Sequence, residues 1–243
     1  MEEITFTVIV SILLVAILGG ILRLVQIAPF CKVGKHIGSE TRNGTDGKKY
    51  EDILSSIEPK NKRIMILLGS GGHTGEMIRI LEQWSIYAGK LDRDYVLSSG
   101  DDTSILKLKK FEEEVVKSNP EDYTIITVHR ARDIGAGKVN ALINTLLSFA
   151  STFYKIIAMR LNKFPKIFLT NGPGTAIPIA YMLFICKYFG LCDTKIIYIE
   201  SLARVNKLSL PGLLILPISD RFIVQWAPLA RKYRRCEYYG ILV

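Results

Sequence analysis

After Glu2 and Glu3 comes a predominantly apolar run, Ile4 to Leu22, that contains no charged residue. At a helical rise of about 1.5 Å per residue, roughly 20 apolar residues cross the hydrocarbon core of a bilayer. The run predicts a membrane-spanning helix over residues 4–22, with residues 1–3 as a short tip. A cleaved signal peptide is the competing reading. It expects a basic start, whereas Glu2 and Glu3 are acidic, and the run exceeds a usual signal core. Arg23, Lys32, Lys35 and His36 follow the run, and a positive flank faces the cytoplasm. Residues 23–243 are therefore expected on the cytoplasmic side. Residues 23–61, which hold the polar stretch "GSETRNGTDGKKYED", read as a juxtamembrane linker. On this topology the Asn43-Gly44-Thr45 sequon stays unglycosylated.

From Lys62 the pattern changes to short apolar runs alternating with segments of helical period. Strands are predicted over 63–69, 94–100, 123–130, 166–172, 195–201 and 221–226. A helix over 76–84 turns Met77, Ile80, Leu81 and Trp84 to one face. A second, over 101–117, turns Ile105, Leu108, Phe111 and Val115 inward. A third, over 175–188, is strongly apolar. In the segment 141–159 a polar stripe of Asn144, Ser148, Ser151 and Lys155 argues against a second span. It reads as a long helix, half buried in the domain or lying at a membrane surface. Continuous apolar strands alternating with helices indicate a parallel sheet covered on both faces. Residues 62–243 are thus predicted to form one doubly wound, Rossmann-like α/β domain.

Charge and cysteine content narrow the picture only slightly. Lys and Arg number 32 against 23 Asp and Glu, a net +9, which suits a negatively charged partner such as a phosphorylated substrate or an anionic lipid surface. No nucleic-acid motif accompanies that charge, so nucleic acid is not expected. Cys31, Cys186, Cys192 and Cys236 lack metal-ligand spacing and disulfide density, and read as reduced thiols with no metal site.

The chemistry concentrates where strands end. The first strand runs into Gly69-Ser70-Gly71-Gly72-His73-Thr74-Gly75, just before a helix. Glycines let a backbone approach an anion closely, and a helix N-terminus offers free N–H groups. A phosphate or diphosphate fits there. The loop lacks the Gly-Lys-Ser/Thr of a Walker motif and the third glycine of a dinucleotide motif. An NAD reading survives only through Asp101 and Asp102, which end the second strand where a ribose ligand would lie. A simple chain turn is the bland alternative. His73 is either a general base for an attacking hydroxyl or a hydrogen-bond partner of the phosphate. A second loop, Asn171-Gly172-Pro173-Gly174-Thr175, follows the fourth strand, with Thr175 in the N-cap region of the next helix. Glu200 ends the fifth strand, as an acid/base or sugar ligand or as a structural carboxylate.

Two apolar stretches need cover. "KLSLPGLLILPISDRF" (207–222) crowds leucines around Pro211 and Pro217, which disfavour a long helix. It reads as a buried loop and strand or as a membrane-dipping loop. The chain ends on Tyr238, Tyr239, Ile241, Leu242 and Val243, after the basic Arg231, Lys232, Arg234 and Arg235. An apolar terminus is expected to dock on a partner, or else to fold back on its own sheet.

"GSGGHTGEM", "NGPGT", "YIES" and "SDRFIVQWAPLARKY", in that order over residues 63–243, together resemble the Alg-fourteen family. That family is the membrane-anchoring subunit of the eukaryotic UDP-N-acetylglucosamine transferase, which adds the second GlcNAc to GlcNAc-diphospho-dolichol in N-glycan precursor assembly. The family is similar to the N-terminal, acceptor-binding half of a GT-B glycosyltransferase. The resemblance implies an endoplasmic reticulum membrane protein with a lumenal N-terminus. It implies that Gly69, Ser70, Gly71, Gly72, His73, Thr74 and Gly75, with Asn171, Gly172, Gly174 and Thr175, face the acceptor diphosphate. It implies no cofactor, and a soluble catalytic partner that supplies the UDP-GlcNAc site. One sheet domain is too small to enclose a sugar nucleotide as well, so catalysis by this chain alone is not expected.

Overall fold

In a computed structural model of the protein, the described residues are 2–29, 63–83, 91–128 and 164–243. Cys31, the sequon, Trp84 and the predicted helix over 141–159 lie outside them.

Helix α1 (Glu2–Ile27) contains the predicted span and continues through Arg23, so the first residues assigned to the linker are helical. Its most apolar window is 0% buried by the rest of the protein, unlike a core helix. The Ser11 hydroxyl donates back to the Thr7 carbonyl at 2.8 Å, so this polar group is satisfied within the apolar run.

Among the described residues the domain holds a seven-stranded sheet in the order β3-β2-β1-β4-β5-β6-β7, every neighbouring pair parallel. The strands are β1 (Arg63–Leu68), β2 (Asp92–Ser98), β3 (Tyr123–Val128), β4 (Ile167–Thr170), β5 (Lys195–Ile199), β6 (Arg221–Val224) and β7 (Cys236–Tyr238). Helices α2 (Gly72–Gln83) and α3 (Asp102–Lys110) contribute to one side. Helices α4 (Ala176–Tyr188), α5 (Leu210–Ile215) and α6 (Ala227–Lys232) cover the other. Successive strand residues point to opposite faces. Met65, Leu67, Phe168, Tyr198 and Phe222 therefore pack with α4 and α5, while Ile64, Ile66, Leu68 and Leu169 pack with α2. Both faces are covered over β1, β4, β5 and β6, which is why these strands read as apolar runs, whereas edge strand β3 exposes Thr124 and Thr127.

Helix α2 starts at Gly72, four positions before the predicted start, so the glycine loop supplies the helix's own first turn. The helix predicted over 101–117 is α-helical only to Lys110 and ends in a π turn over Phe111–Val116, closed by Lys117 in the left-handed region. The wider turn changes the inward face: Glu112 is buried and Val115 exposed, whereas Leu108 and Phe111 are buried as expected. The buried Glu112 accepts from Arg93 Nε and Nη2 at 2.9 and 3.0 Å, and from the hydroxyls of Tyr95 and Ser118. Burial and the neighbouring Glu112 charge push the Tyr95 phenol far above its ordinary value.

The stretch 207–222 forms neither a long helix nor a plain loop. Ser209 caps α5 by accepting from Gly212 N at 3.0 Å, and Pro211 sits in the first turn, where its missing N–H costs nothing. Leu208, Ile215 and Ile218 are buried, whereas Leu210, Leu213 and Leu214 are exposed. Cys186 and Cys236 are buried free thiols, and burial pushes the Cys236 thiol up to about 12.

Strand β7 and the tail beyond it are the main departure from expectation. Tyr239 and Leu242 are buried among Ile64, Ile66 and Ile223 of this chain's own core. Leu242 donates its N–H to Gln225 Oε1 at 3.0 Å and accepts from Gln83 Nε2 at 2.9 Å. Arg221 binds Glu237 and stacks over the Tyr239 ring, whose hydroxyl donates to Glu237 at 2.7 Å. Folding back, the second of the two readings of the tail, thus describes Tyr239 and Leu242. Ile241 is exposed, and Tyr238 and Val243 are half buried.

Candidate functional site

In a doubly wound sheet the strand order reverses at a switch point, and ligands bind outside the carboxyl ends of the strands there. Here β1 and β4 are neighbours, and the chain winds outward from them in both directions. Both glycine loops leave the sheet at this point, side by side.

Their packing explains two of the glycines. A Cβ on Gly69 would lie 2.8 Å from His73 Cβ and 2.9 Å from Pro173 Cβ, so only glycine lets the loops touch. Gly172 has φ +105°, and a Cβ there would lie 2.7 Å from the Tyr198 hydroxyl oxygen and 3.7 Å from His73 Cε1. Beside Gly71, Gly72, Gly75 and Gly174, by contrast, a Cβ would meet nothing within 4 Å. These four line open space. The first helical N–H bond of α2 is a long one, Gly75 N to Gly71 O at 3.4 Å. The N–H groups of the turn before it have no carbonyl within the helix.

The side chains divide into those that hold the loops and those left unpaired. Thr74, predicted to face an anion, is fully buried instead; its hydroxyl bonds the Gly69 carbonyl and lies 2.7 Å from Ser104 Oγ. Asn171 joins the loops, donating from Nδ2 to the His73 carbonyl at 2.7 Å. Thr175 occupies the N-cap of α4 with helical dihedrals and makes no capping bond. Ser70 is exposed at the rim.

Among the described residues, five buried side-chain atoms have no hydrogen-bond partner: His73 Nδ1, Glu76 Oε2, Thr170 Oγ1, Asn171 Oδ1 and Thr175 Oγ1. Thr170 ends β4, Asn171 and Thr175 lie in the turn that follows it, and His73 and Glu76 lie in the opening turns of α2. A buried polar atom without a partner costs about 1–3 kcal/mol, so these atoms call for partners from outside the chain, ordered water among them. Glu76 was not singled out from the sequence. Its one available signal was position: it lies three residues after His73, on the same face of α2. Its other oxygen accepts from Ser201 Oγ at 2.9 Å, tying α2 to the end of β5.

Glu200 lies elsewhere in the scheme. It is buried, and its carboxylate accepts from Ser209 N at 2.9 Å, Ser209 Oγ at 3.2 Å and Ser201 N at 3.2 Å. A Cβ on Gly212 would sit 2.5 Å from Oε2. Burial pushes its carboxyl above the ordinary range, and the Ser209 and Ser201 hydrogen bonds oppose that rise. Of the two readings of Glu200, the structural carboxylate fits: it clamps the cap of α5 and offers no free oxygen to the glycine rim. Asp101, which an NAD reading would place on a ribose, caps α3, accepting from Ser104 N at 3.2 Å and Ser104 Oγ at 2.7 Å.

Residues 64–242 match the family described as oligosaccharide biosynthesis protein Alg14 like. The chain is 52% identical over 199 residues to the UDP-N-acetylglucosamine transferase subunit ALG14 of Debaryomyces hansenii, covering 81% of this chain and 84% of that one. To the subunit of the same name from Homo sapiens it is 34% identical over 184 residues, covering 74% and 82%. Among solved structures, Arabidopsis thaliana UGT89C1 complexed with UDP-L-rhamnose aligns with a TM-score of 0.48 at 9% identity, over 76% of this chain and 53% of that one. UDP-N-acetylglucosamine 2-epimerase from Rickettsia bellii aligns with a TM-score of 0.45 at 16% identity, over 74% and 45%. The family match opens at β1 and closes in the buried tail, so it takes in the whole sheet and both glycine loops: the chain belongs to the Alg14-like family of oligosaccharide biosynthesis proteins.

Proposed function

We propose that this protein is the membrane-anchored, acceptor-side subunit of a UDP-N-acetylglucosamine transferase. It presents a lipid diphosphate sugar, GlcNAc-diphospho-dolichol, to a separate catalytic subunit that brings UDP-GlcNAc and transfers the second GlcNAc. The names of its relatives support the transferase role. The observation that supports the acceptor site is the group of five unpartnered buried polar atoms beside four glycines that line open space. Diphosphate oxygens would accept from the N–H groups opening α2, where the helix dipole favours negative charge. The Thr170 and Thr175 hydroxyls would donate to the same group, and Asn171 Oδ1 and Glu76 Oε2 would accept sugar hydroxyls. His73, with Nδ1 unpaired, would reach the diphosphate or the acceptor hydroxyl.

Helix α1 anchors the domain in the endoplasmic reticulum membrane, tip lumenal and sheet cytoplasmic. The partner docks on what the tail leaves outside, namely Ile241 with the half-buried Tyr238 and Val243.

The test is reconstitution in lipid with UDP-GlcNAc and a GlcNAc-diphospho lipid acceptor. This chain alone is expected to give no turnover, and turnover is expected once the soluble partner is added. Turnover without any partner would replace this reading with a self-sufficient glycosyltransferase. In the complex, a loss of about 10²–10⁴-fold in His73→Ala marks a proton acceptor. A smaller loss with raised acceptor KM marks a diphosphate ligand.

A further inference from the structure

Helix α4 is apolar on every side. Its partly buried positions Ile177, Tyr181, Phe184 and Tyr188 and the exposed Ile185 carry no charge, and its lone charged residue, Lys187, is bound to Asp220 at 2.9 Å. A helix whose outer face meets water normally shows polar residues there. Just past its end Phe189 is 69% exposed, with Ile185 and Leu191 also open. Helix α5 lies alongside, joined by the Tyr181 hydroxyl donating to the Leu214 carbonyl at 3.0 Å. It exposes Leu210, Leu213 and Leu214 and is preceded by the exposed Arg204 and Lys207.

This apolar face is continuous with α1. Arg23 donates from Nε to the Tyr188 carbonyl and from Nη2 to the Lys187 carbonyl, both at 3.2 Å. A Cβ on Gly20 would lie 2.8 Å from the Tyr188 hydroxyl oxygen. The apolar run of α1 therefore ends at the level where α4 ends. Arg23 caps the negative pole of α4 there, and Tyr188 and Phe189 sit where interfacial aromatics belong.

We propose that the α4–α5 face lies flat on the bilayer surface beside α1, with Ile185, Phe189, Leu191, Leu210, Leu213 and Leu214 entering the boundary between headgroups and acyl chains. The inference rests on reading α1 as a membrane span. Two features select a bilayer over a protein partner. The face begins where the spanning helix emerges, and basic Arg204 and Lys207 fringe its leucines, the composition of an interfacial segment. Orientation follows from α4 itself. It starts at the glycine loop and ends at Arg23, a length of about 20 Å at ~1.5 Å per residue. With α4 lying along the membrane, Phe189 past its end and the α5 leucines beside Tyr181 both reach lipid. The same placement brings the glycine-lined rim to headgroup level, where a lipid diphosphate resides.

Full-length protein in vesicles of brominated phosphatidylcholine with an anionic lipid tests this. Single tryptophans are introduced at exposed sites, and the native chain, with Trp84 and Trp226, sets the baseline. Leu14→Trp probes α1, Phe189→Trp the end of α4, Leu213→Trp helix α5, and Leu106→Trp the exposed surface of α3 on the other side of the sheet. The expected result is loss of fluorescence by bromolipid for Leu14→Trp, Phe189→Trp and Leu213→Trp, and none for Leu106→Trp. Quenching of Leu14→Trp without Phe189→Trp or Leu213→Trp overturns the seated face and leaves the anchor standing, as does shielding of those two sites only when the soluble partner is added. Quenching of Phe189→Trp without Leu213→Trp overturns the flat orientation. Equal quenching at Leu106→Trp overturns a specific face. Absence of quenching at Leu14→Trp overturns the anchor and this inference with it.

Discussion

Glu200 and Asn171 both lie just past strand ends in buried positions, yet their electrostatic situations are opposite. Glu200 meets three donors and has its hydrogen-bonding oxygens engaged, while Asn171 Oδ1 meets none. The sequence signals them alike, as polar residues ending apolar runs, and only the surrounding turns decide which one is structural. The glycine loops were legible because strand, glycines and helix follow each other directly. The inward turn of Thr74 was not, since nothing local announces Ser104 as its partner. Burial holds the Glu200 carboxyl above its ordinary value, so between that value and the raised one the folded protein binds more protons than the unfolded chain. Stability then falls as pH rises through this window. In Glu200→Gln that fall is expected to disappear, giving a flatter profile of unfolding midpoint against pH above about pH 4.3, the ordinary Glu value. An unchanged slope in urea melts of the detergent-solubilised protein would show that the titrating group lies elsewhere.

Element by element, the periodic signal located strands and helices and failed where structure departs from a regular period. A π turn breaks the helical phase after Lys110, so a wheel drawn through Val115 points the wrong way. Strand β7 escaped notice because it is three residues long and sits among basic residues, too short for alternation to register. The π turn delivers Glu112 to Arg93, both nearly inaccessible to water. Removing one charge of such a pair leaves the other buried without its counter-ion, at a cost of about 3–5 kcal/mol. Glu112→Gln is expected to lose stability on that scale. The exposed Lys110–Glu114 pair, removed as Glu114→Gln, is worth at most about 0.5 kcal/mol. Denaturant midpoints of the two variants separate the cases.

At the scale of the whole molecule, the tail serves the core and the surface at once. Leu242 is buried, and Leu242→Ala is expected to cost about 2–5 kcal/mol. Ile241 is open, and Ile241→Asp is expected to change stability by no more than about 0.5 kcal/mol while reducing capture of the catalytic partner. Full capture by Ile241→Asp at native stability would place the partner contact elsewhere. A deletion of the last three residues mixes both effects, since it removes the buried Leu242 with its neighbours.

The central place of β1 has a consequence for biosynthesis. Ile66 pairs with Tyr95 on one side and Leu169 on the other. The second partner leaves the ribosome about 100 residues later, roughly 5–20 s at ~5–20 residues per second. Once β3 has followed, and until β4 arrives, a nascent half-sheet of β1, β2 and β3 presents an open apolar edge. Such an edge recruits strands from other chains. Chaperone cover during translation is therefore a requirement of the topology itself, and a shortage of it should show first as co-translational aggregates.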